Sequence, residues 1–306
     1  MRAVVMKCTG AWYLVKTNNS QQVKCRVQGK FRIHNIKSTS PIVVGDIVDI
    51  SKGKDSWMIT KLYSRKNYVL RKSVNLSKQT HVIASNLDQA ILMVTVKYPI
   101  TTTSFIDRFL ATTSAYSIPT IIVFNKLDIY NSKEIQIQTD LEKIYSDIGY
   151  SCFSLSVLHD SLDKLISIMK KKVTLISGHS GVGKSTLINQ FQPELDLATQ
   201  EISNKHETGK HTTTFSMMHD MDFGGSIIDT PGIKGFGLIN IGKEELGDYF
   251  IEFLAFKKEC KFNNCIHVNE PECAIKRSVD NGNIAISRYA NYLSMMNDDI
   301  YRKSEK

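Results

Sequence analysis

Two changes of residue pattern along the 306-residue chain predict an α/β protein in three parts: a small β-barrel, a parallel sheet flanked by helices, and a helical end carrying cysteines. Short β-rich runs separated by turn residues fill residues 1–72, apolar strands alternate with helices over 73–240, and helical segments surround a cysteine cluster in 241–306. At 42% hydrophobic and 23% charged, the composition suits a buried core in each part and gives no ground for long disorder.

In the first part, residues 3–8 (AVVMKC), 11–16 (AWYLVK), 22–27 (QVKCRV), 41–50 (PIVVGDIVDI) and 56–63 (SWMITKLY) read as five strands, broken at Thr9-Gly10, Asn18-Asn19 and Lys52-Gly53. Five short strands in so little chain predict a closed barrel of the OB type, with an SH3-like barrel as the alternative. Charge is concentrated here. Residues 1–72 hold fifteen Lys or Arg against Asp46, Asp49 and Asp55, a balance of +12, so the rest of a chain with net charge +9 sums to −3. A basic surface bearing Trp12, Tyr13, Lys24, Arg26, Lys30, Phe31 and Arg32 suits RNA, the lysines and arginines meeting phosphate and the rings stacking on bases. The alternative for Trp12 and Phe31 is a place in the core.

In the second part, Gln89 to Val96 reads as an apolar strand, Thr103 to Tyr116 as a helix with Phe105, Phe109 and Leu110 at helical spacing, and Pro119 to Phe124 as a buried strand. A helix near Lys133 to Ile148, a strand at Cys152 to Leu155, a helix at Leu162 to Met169 and a strand at Val173 to Ser177 continue the alternation. Such alternation predicts a parallel sheet covered on both faces.

The motifs sit where this sheet would place a ligand. Gly178-His179-Ser180-Gly181-Val182-Gly183-Lys184-Ser185 fits the phosphate-loop pattern directly after a strand, and Thr186 opens a helical run. Its glycines let backbone N–H groups curl around phosphates, Lys184 neutralises the β- and γ-phosphates, and the Ser185 hydroxyl reaches Mg²⁺. Asp229, at the end of the strand Ser226 to Ile228, is placed to hold Mg²⁺, and Gly232 to bring its N–H near the γ-phosphate. Between them, the polar run Gly209-Lys210-His211-Thr212-Thr213-Thr214 offers a hydroxyl to complete the Mg²⁺ shell. Thr213 is the choice, with Thr212 and Thr214 as alternatives.

Asn125-Lys126-Leu127-Asp128 follows the strand Thr120 to Phe124. At the carboxyl end of a parallel strand beside a phosphate loop, this pattern reads guanine. The Asp128 carboxylate accepts from N1–H and N2–H₂, which adenine cannot supply; Asn125 braces neighbouring loops; the Lys126 stem covers the base. Ser156 and Val157 are a further candidate base-contact loop, or an ordinary turn. The order is informative: the guanine motif precedes the phosphate loop, so the sheet is that of a circularly permuted P-loop GTPase. Asp128 argues against an ATPase or kinase.

Cys260, Cys265, His267 and Cys273 form a Cys₃His set of the kind that holds one structural zinc, with no open position for chemistry. The alternative is three free thiols and a surface histidine.

Taken in order, NKLD, GHSGVGKS, GKHTTT, DTPG and CxxxxCxH with a later cysteine closely resemble the circularly permuted small-ribosomal-subunit biogenesis GTPases, the RsgA (YjeQ/YloQ) family. The resemblance takes in Gly29 to Arg32 and Val44 to Asp46 of the barrel, and Gly282, Ile284, Arg288 and Tyr289 near the end. It implies an assembly factor that binds the small ribosomal subunit and its rRNA, with GTP hydrolysis to GDP stimulated by that particle. Two departures are visible: Lys210 stands where arginine is usual, keeping the charge but losing the planar fork, and the loop around Ser156 is one residue short. Where Ras-like GTPases carry a water-orienting glutamine, this chain has Ile233, which leaves His211 as the candidate for that role, unless the particle supplies the group. The competing expectation is a nucleotide-switched RNA-binding module with negligible turnover.

The main apolar stretch, Ala90 to Val96, is far short of the roughly 20 residues that cross a bilayer. With no signal-peptide pattern at the N-terminus, the expectation is a cytoplasmic protein acting as a monomer, without a membrane partner.

Overall fold

The computed structural model describes residues 1–27, 41–54, 56–72, 80–197, 216–229 and 241–297. Strands β1 (Arg2–Thr9), β2 (Trp12–Thr17), β3 (Gln22–Val27), β4 (Ile47–Lys52) and β5 (Trp57–Leu62) close a barrel in the order β1-β2-β3-β5-β4-β1. Only β3 and β5 run parallel. That order is the OB arrangement and not the SH3-like one. Alternation produces the barrel's inside and outside: on β3, Val23 and Cys25 join Ala3, Val5, Val15, Val48 and Ile59 in the core, while Lys24 and Arg26 face water. The fourth run becomes strand only from Ile47, because the chain before it turns around Asp46. That buried carboxylate accepts from the Val43 N–H at 2.8 Å and from Arg65 Nε and Nη2 at 2.6 and 2.7 Å.

A hairpin of β6 (Tyr68–Lys72) and β7 (Thr80–Ser85) spans the point at which the pattern changes. Next come β8 (Gln89–Val94), α1 (Thr103–Ala115), β9 (Thr120–Phe124), α2 (Ser132–Asp147), β10 (Ser151–Ser154), α3 (Asp163–Met169), β11 (Val173–Ser177), α4 (Lys184–Phe191), β12 (Met217–Met221) and β13 (Gly225–Asp229). Five strands are parallel in the order β10-β9-β8-β11-β13, and β12 adds antiparallel to β13. Both faces are covered, which is why β8 reads as a continuous apolar run. Leu92 and Val94 pack with Ile106, Phe109 and Leu110 of α1, and Ile91 and Met93 pack with Leu165 and Met169 of α3 and Leu187 and Ile188 of α4. Lys7 of β1 lies opposite Met217 of β12, so barrel and sheet are hydrogen-bonded into one.

Short helices α5 (Lys243–Leu246), α6 (Phe253–Phe256), α7 (Ala274–Asp280) and α8 (Ile286–Met296) follow. Leu246, Phe250, Phe253, Ile275, Ile284, Tyr292 and Met295 form their core, which also takes in Cys273 and reaches Ala111 of α1. Among the described residues, no helix is long and apolar enough to cross a membrane.

Candidate active site and metal centre

The carboxyl ends of the parallel strands converge on one rim: Asn125 follows β9, Ser156 follows β10, Gly178 follows β11, and Asp229 ends β13. Asn125 ties the rim together. Its buried amide donates from Nδ2 to the Val182 carbonyl at 2.8 Å and accepts at Oδ1 from the Val157 N–H at 3.0 Å, while its backbone carbonyl accepts from the Tyr130 hydroxyl at 2.7 Å. One side chain thereby joins the guanine-motif loop, the phosphate loop and the loop after β10. Tyr130 completes the brace by accepting from the Val96 N–H at 3.0 Å.

The phosphate loop has the shape its glycines permit. Gly183, at φ +103°, caps the start of α4, and a Cβ there would lie 2.4 Å from Asn125 Nδ2. Gly178, at φ +145°, would bring a Cβ within 2.4 Å of the Met93 carbonyl oxygen. Both positions therefore need a left-handed backbone and tight packing at once. Lys184 Nζ reaches back to the carbonyls of Gly178 and His179 at 2.9 and 2.7 Å, so the ammonium lies across the loop. Burial lowers its pKa, with Asp229 acting in the opposite sense. The His179 imidazole is likewise lowered, by burial and then by the Lys184 charge. Val182 is buried, Ser180 and Gly181 are exposed, and Ser185 and Thr186 are half-buried on the first turn of α4.

Lys126 takes a left-handed conformation and donates from Nζ to the Tyr98 carbonyl at 2.6 Å. Burial lowers its pKa, and the neighbouring Asp128 opposes that. Asp128 itself lies in the short helical turn Leu127–Ile129, with His159 Nε2 3.9 Å from its carboxylate. The amides of the loop after β10 have partners inside the protein: Ser156 N–H donates to Asp160 Oδ2 at 2.7 Å and Val157 N–H to Asn125. The buried Ser156 hydroxyl has no partner among the described residues. Thr213, His211 and Gly232, with Lys210, Thr212, Thr214 and Ile233, lie outside the described residues, as do Lys30, Phe31 and Arg32 on the barrel.

On the barrel, Trp12 is 38% exposed with the Arg26 guanidinium over its ring at 4.1 Å, whereas Tyr13 belongs to the core. A second stack, absent from the sequence reading, sets Arg2 and Lys61 over the Tyr63 ring at 4.4 and 4.7 Å.

The ligand atoms of Cys260, Cys265, His267 and Cys273 all lie within 4.8 Å of one another. His267 Nδ1 is 3.6 Å from the Cys260 sulfur and 3.5 Å from that of Cys273. Tetrahedral zinc with bonds of about 2.3 Å to sulfur and 2.0 Å to nitrogen sets such atoms about 3.5 Å apart, so the group fits a metal ion. His267 is held for it: φ is +59°, its carbonyl accepts from the Tyr289 hydroxyl at 2.8 Å, and Phe253 meets the ring edge-on.

A phosphate loop on β11, fed by a guanine-type motif on the earlier strand β9, makes this fold a circularly permuted P-loop GTPase. The comparisons agree. The RsgA GTPase family matches residues 62–239 and the RsgA N-terminal domain residues 4–57. The small ribosomal subunit biogenesis GTPase RsgA of Flavobacterium psychrophilum is 51% identical over 99% of this chain and 95% of its own, and that of Bacteroides fragilis 49% identical over 97% of each. Among solved structures, YjeQ from Thermotoga maritima superposes with a TM-score of 0.78 at 34% identity over 96% of each chain. YloQ, described as a circularly permuted GTPase, gives 0.74 at 28% identity over 100% of this chain and 96% of its own. The chain belongs to the RsgA GTPase family and is a GTP hydrolase.

Proposed function

We propose that this chain binds guanine nucleotide on the rim formed by Asn125, Lys126, Asp128, residues 156–158, residues 178–186 and Asp229, and hydrolyses GTP while engaged with the small ribosomal subunit. The observation that carries the nucleotide site is the Asn125 brace, which holds the base-reading and phosphate-holding loops at a fixed separation. Asp128 reads the guanine edge and Lys126 covers the base. The Ser156 and Val157 amides are bonded within the protein, so the loop they belong to reaches the base in a fixed shape, with the Ser156 hydroxyl, unpartnered among the described residues, as its polar group. Lys184 exchanges the carbonyls of Gly178 and His179 for phosphate oxygens. Ser185, Thr213 and Asp229 would hold Mg²⁺, which would supply neutralising charge at the phosphates, with the Gly232 N–H assigned to the γ-phosphate. His211 orients the attacking water.

Binding of the particle's rRNA is assigned to the barrel, on the support of the two cation–aromatic stacks and the basic excess of residues 1–72. The four-ligand cluster is assigned one structural zinc. The chain is assigned three parts divided at residues 72 and 240 and acts as a cytoplasmic monomer. Equilibrium binding tests the site: Asp128→Asn should lose GDP affinity and gain affinity for xanthosine diphosphate, whose 2-oxo group accepts from an amide. Unchanged preference for GDP over ADP in that variant would refute the assignment.

A further inference from the structure

The C-terminal region and the phosphate loop meet on a single helix. Near the start of α1, the Phe105 ring lies on the His179 imidazole with centroids 3.9 Å apart and planes tilted by 32°. Just before the helix, Pro99 stands beside Gly181, its Cδ 3.6 Å from where a Cβ would be. Two residues of the phosphate loop thus rest on α1 and its entry.

Two residues beyond Phe105, Asp107 is fully buried and accepts from Arg288 Nη1 at 2.7 Å, the Tyr145 hydroxyl at 2.8 Å and Asn291 Nδ2 at 2.6 Å. Arg288 of α8, 1% exposed, turns Nε and Nη2 to the two oxygens of Glu252 at 2.7 and 2.9 Å. Further along α1, Ala111 packs in the C-terminal core. Two carboxylates and a guanidinium so deeply buried are tolerable only when each is paired and hydrogen-bonded, and that requirement admits one geometry. The network therefore fixes the rotation and height of α1 against α8. An exposed pair would impose no such constraint.

We propose that α1 is a rigid link through which the C-terminal region sets the geometry of the phosphate loop, with the Asp107–Arg288–Glu252 network as its anchor and Phe105 as the positioning residue that bears on His179. The inference rests on reading residues 178–186 as the nucleotide loop. Linkage is reciprocal, so nucleotide that orders the loop must also steady the anchored helix α8.

Amide hydrogen exchange on the full-length, metal-bearing chain, with and without saturating GDP, reads both ends at once. In the wild type, GDP slows exchange in residues 178–190 and, through α1, in residues 286–296. Phe105→Leu, which keeps an apolar side chain but removes the stack, retains the first effect at saturation and loses most of the second. Asp107→Asn weakens the anchor and raises the Kd for GDP by about fivefold or more. Should that variant fail to fold, Asn291→Ala removes a single donor and gives a smaller change in the same direction. Full protection of 286–296 in Phe105→Leu, or protection confined to 178–190 in the wild type, overturns the link. Absence of protection at 178–190 in the wild type brings down the nucleotide-site reading beneath it.

Discussion

The rim at the strand ends and the cysteine–histidine cluster are both built to hold a ligand, yet they are held together differently. Around the rim, the loops hang from strands whose side chains fill two apolar cores, and Asn125 and Tyr130 satisfy the loop backbone from within the protein. The metal-side loop from Cys260 to Cys273 runs between short helices, with no strand beneath it among the described residues; Glu270, Tyr289 and Tyr292 bond its backbone, but the four ligand side chains have each other as near neighbours. Sites of the first kind keep their shape without ligand. Those of the second kind draw folding energy from the ligand itself.

The largest effect should come from breaking the second kind. Binding of structural zinc by small domains supplies about 10–16 kcal/mol, so Cys273→Ser should lose the metal and unfold the region after about residue 245. Elemental analysis and limited proteolysis would read both, and a wild type that folds with under half an equivalent of zinc would contradict the account. On the rim, Lys184→Ala should reduce turnover by about a hundredfold or more, through loss of charge at the phosphates, with little change in thermal stability. A calorimetric scan beside a phosphate-release assay separates the two.

Asn125→Ala sharpens the contrast. It leaves the Val182 carbonyl and Val157 N–H without partners, at a cost of about 1–3 kcal/mol for each buried group, and nucleotide affinity should fall with stability. A drop in melting temperature with unaltered GDP affinity would remove Asn125 from the brace. The smallest effect is expected at Gly247, where an added Cβ would come 3.2 Å from His267 Cδ2. Gly247→Ala should turn the ring slightly and lower metal affinity by about tenfold, measurable by competition with a chelator.

The rim was legible in sequence because each motif follows a strand whose apolar run is unmistakable, as Thr120 to Phe124 precedes Asn125. The cysteine–histidine set was legible for the opposite reason, since three thiols and an imidazole in one short segment need no fold to be noticed. Harder to see was what positions these sites. Asp107 and Arg288 are charged residues on helices and Glu252 caps one; such residues normally face water, and only the packing of α8 on α1 brings them together in the interior. Strand β12 escaped because His219 and Asp220 interrupt its alternation, and its partners on either side, Lys7 and Asp229, come from distant parts of the chain. The β6–β7 hairpin escaped because Arg71, Lys72 and His81 give its paired strands a charged look. In each case the missing information was a long-range pairing.

The account holds that a nucleotide site braced in advance is brought to full activity by the particle that the barrel engages. GTP turnover by the purified chain, measured with and without isolated small ribosomal subunits, tests this most directly. The account predicts slow intrinsic hydrolysis that rises at least tenfold on the particle, in line with the gain that an external catalytic contribution gives other GTPases. Turnover unchanged by small subunits that demonstrably bind the chain would contradict it and leave a nucleotide-switched RNA-binding protein in its place.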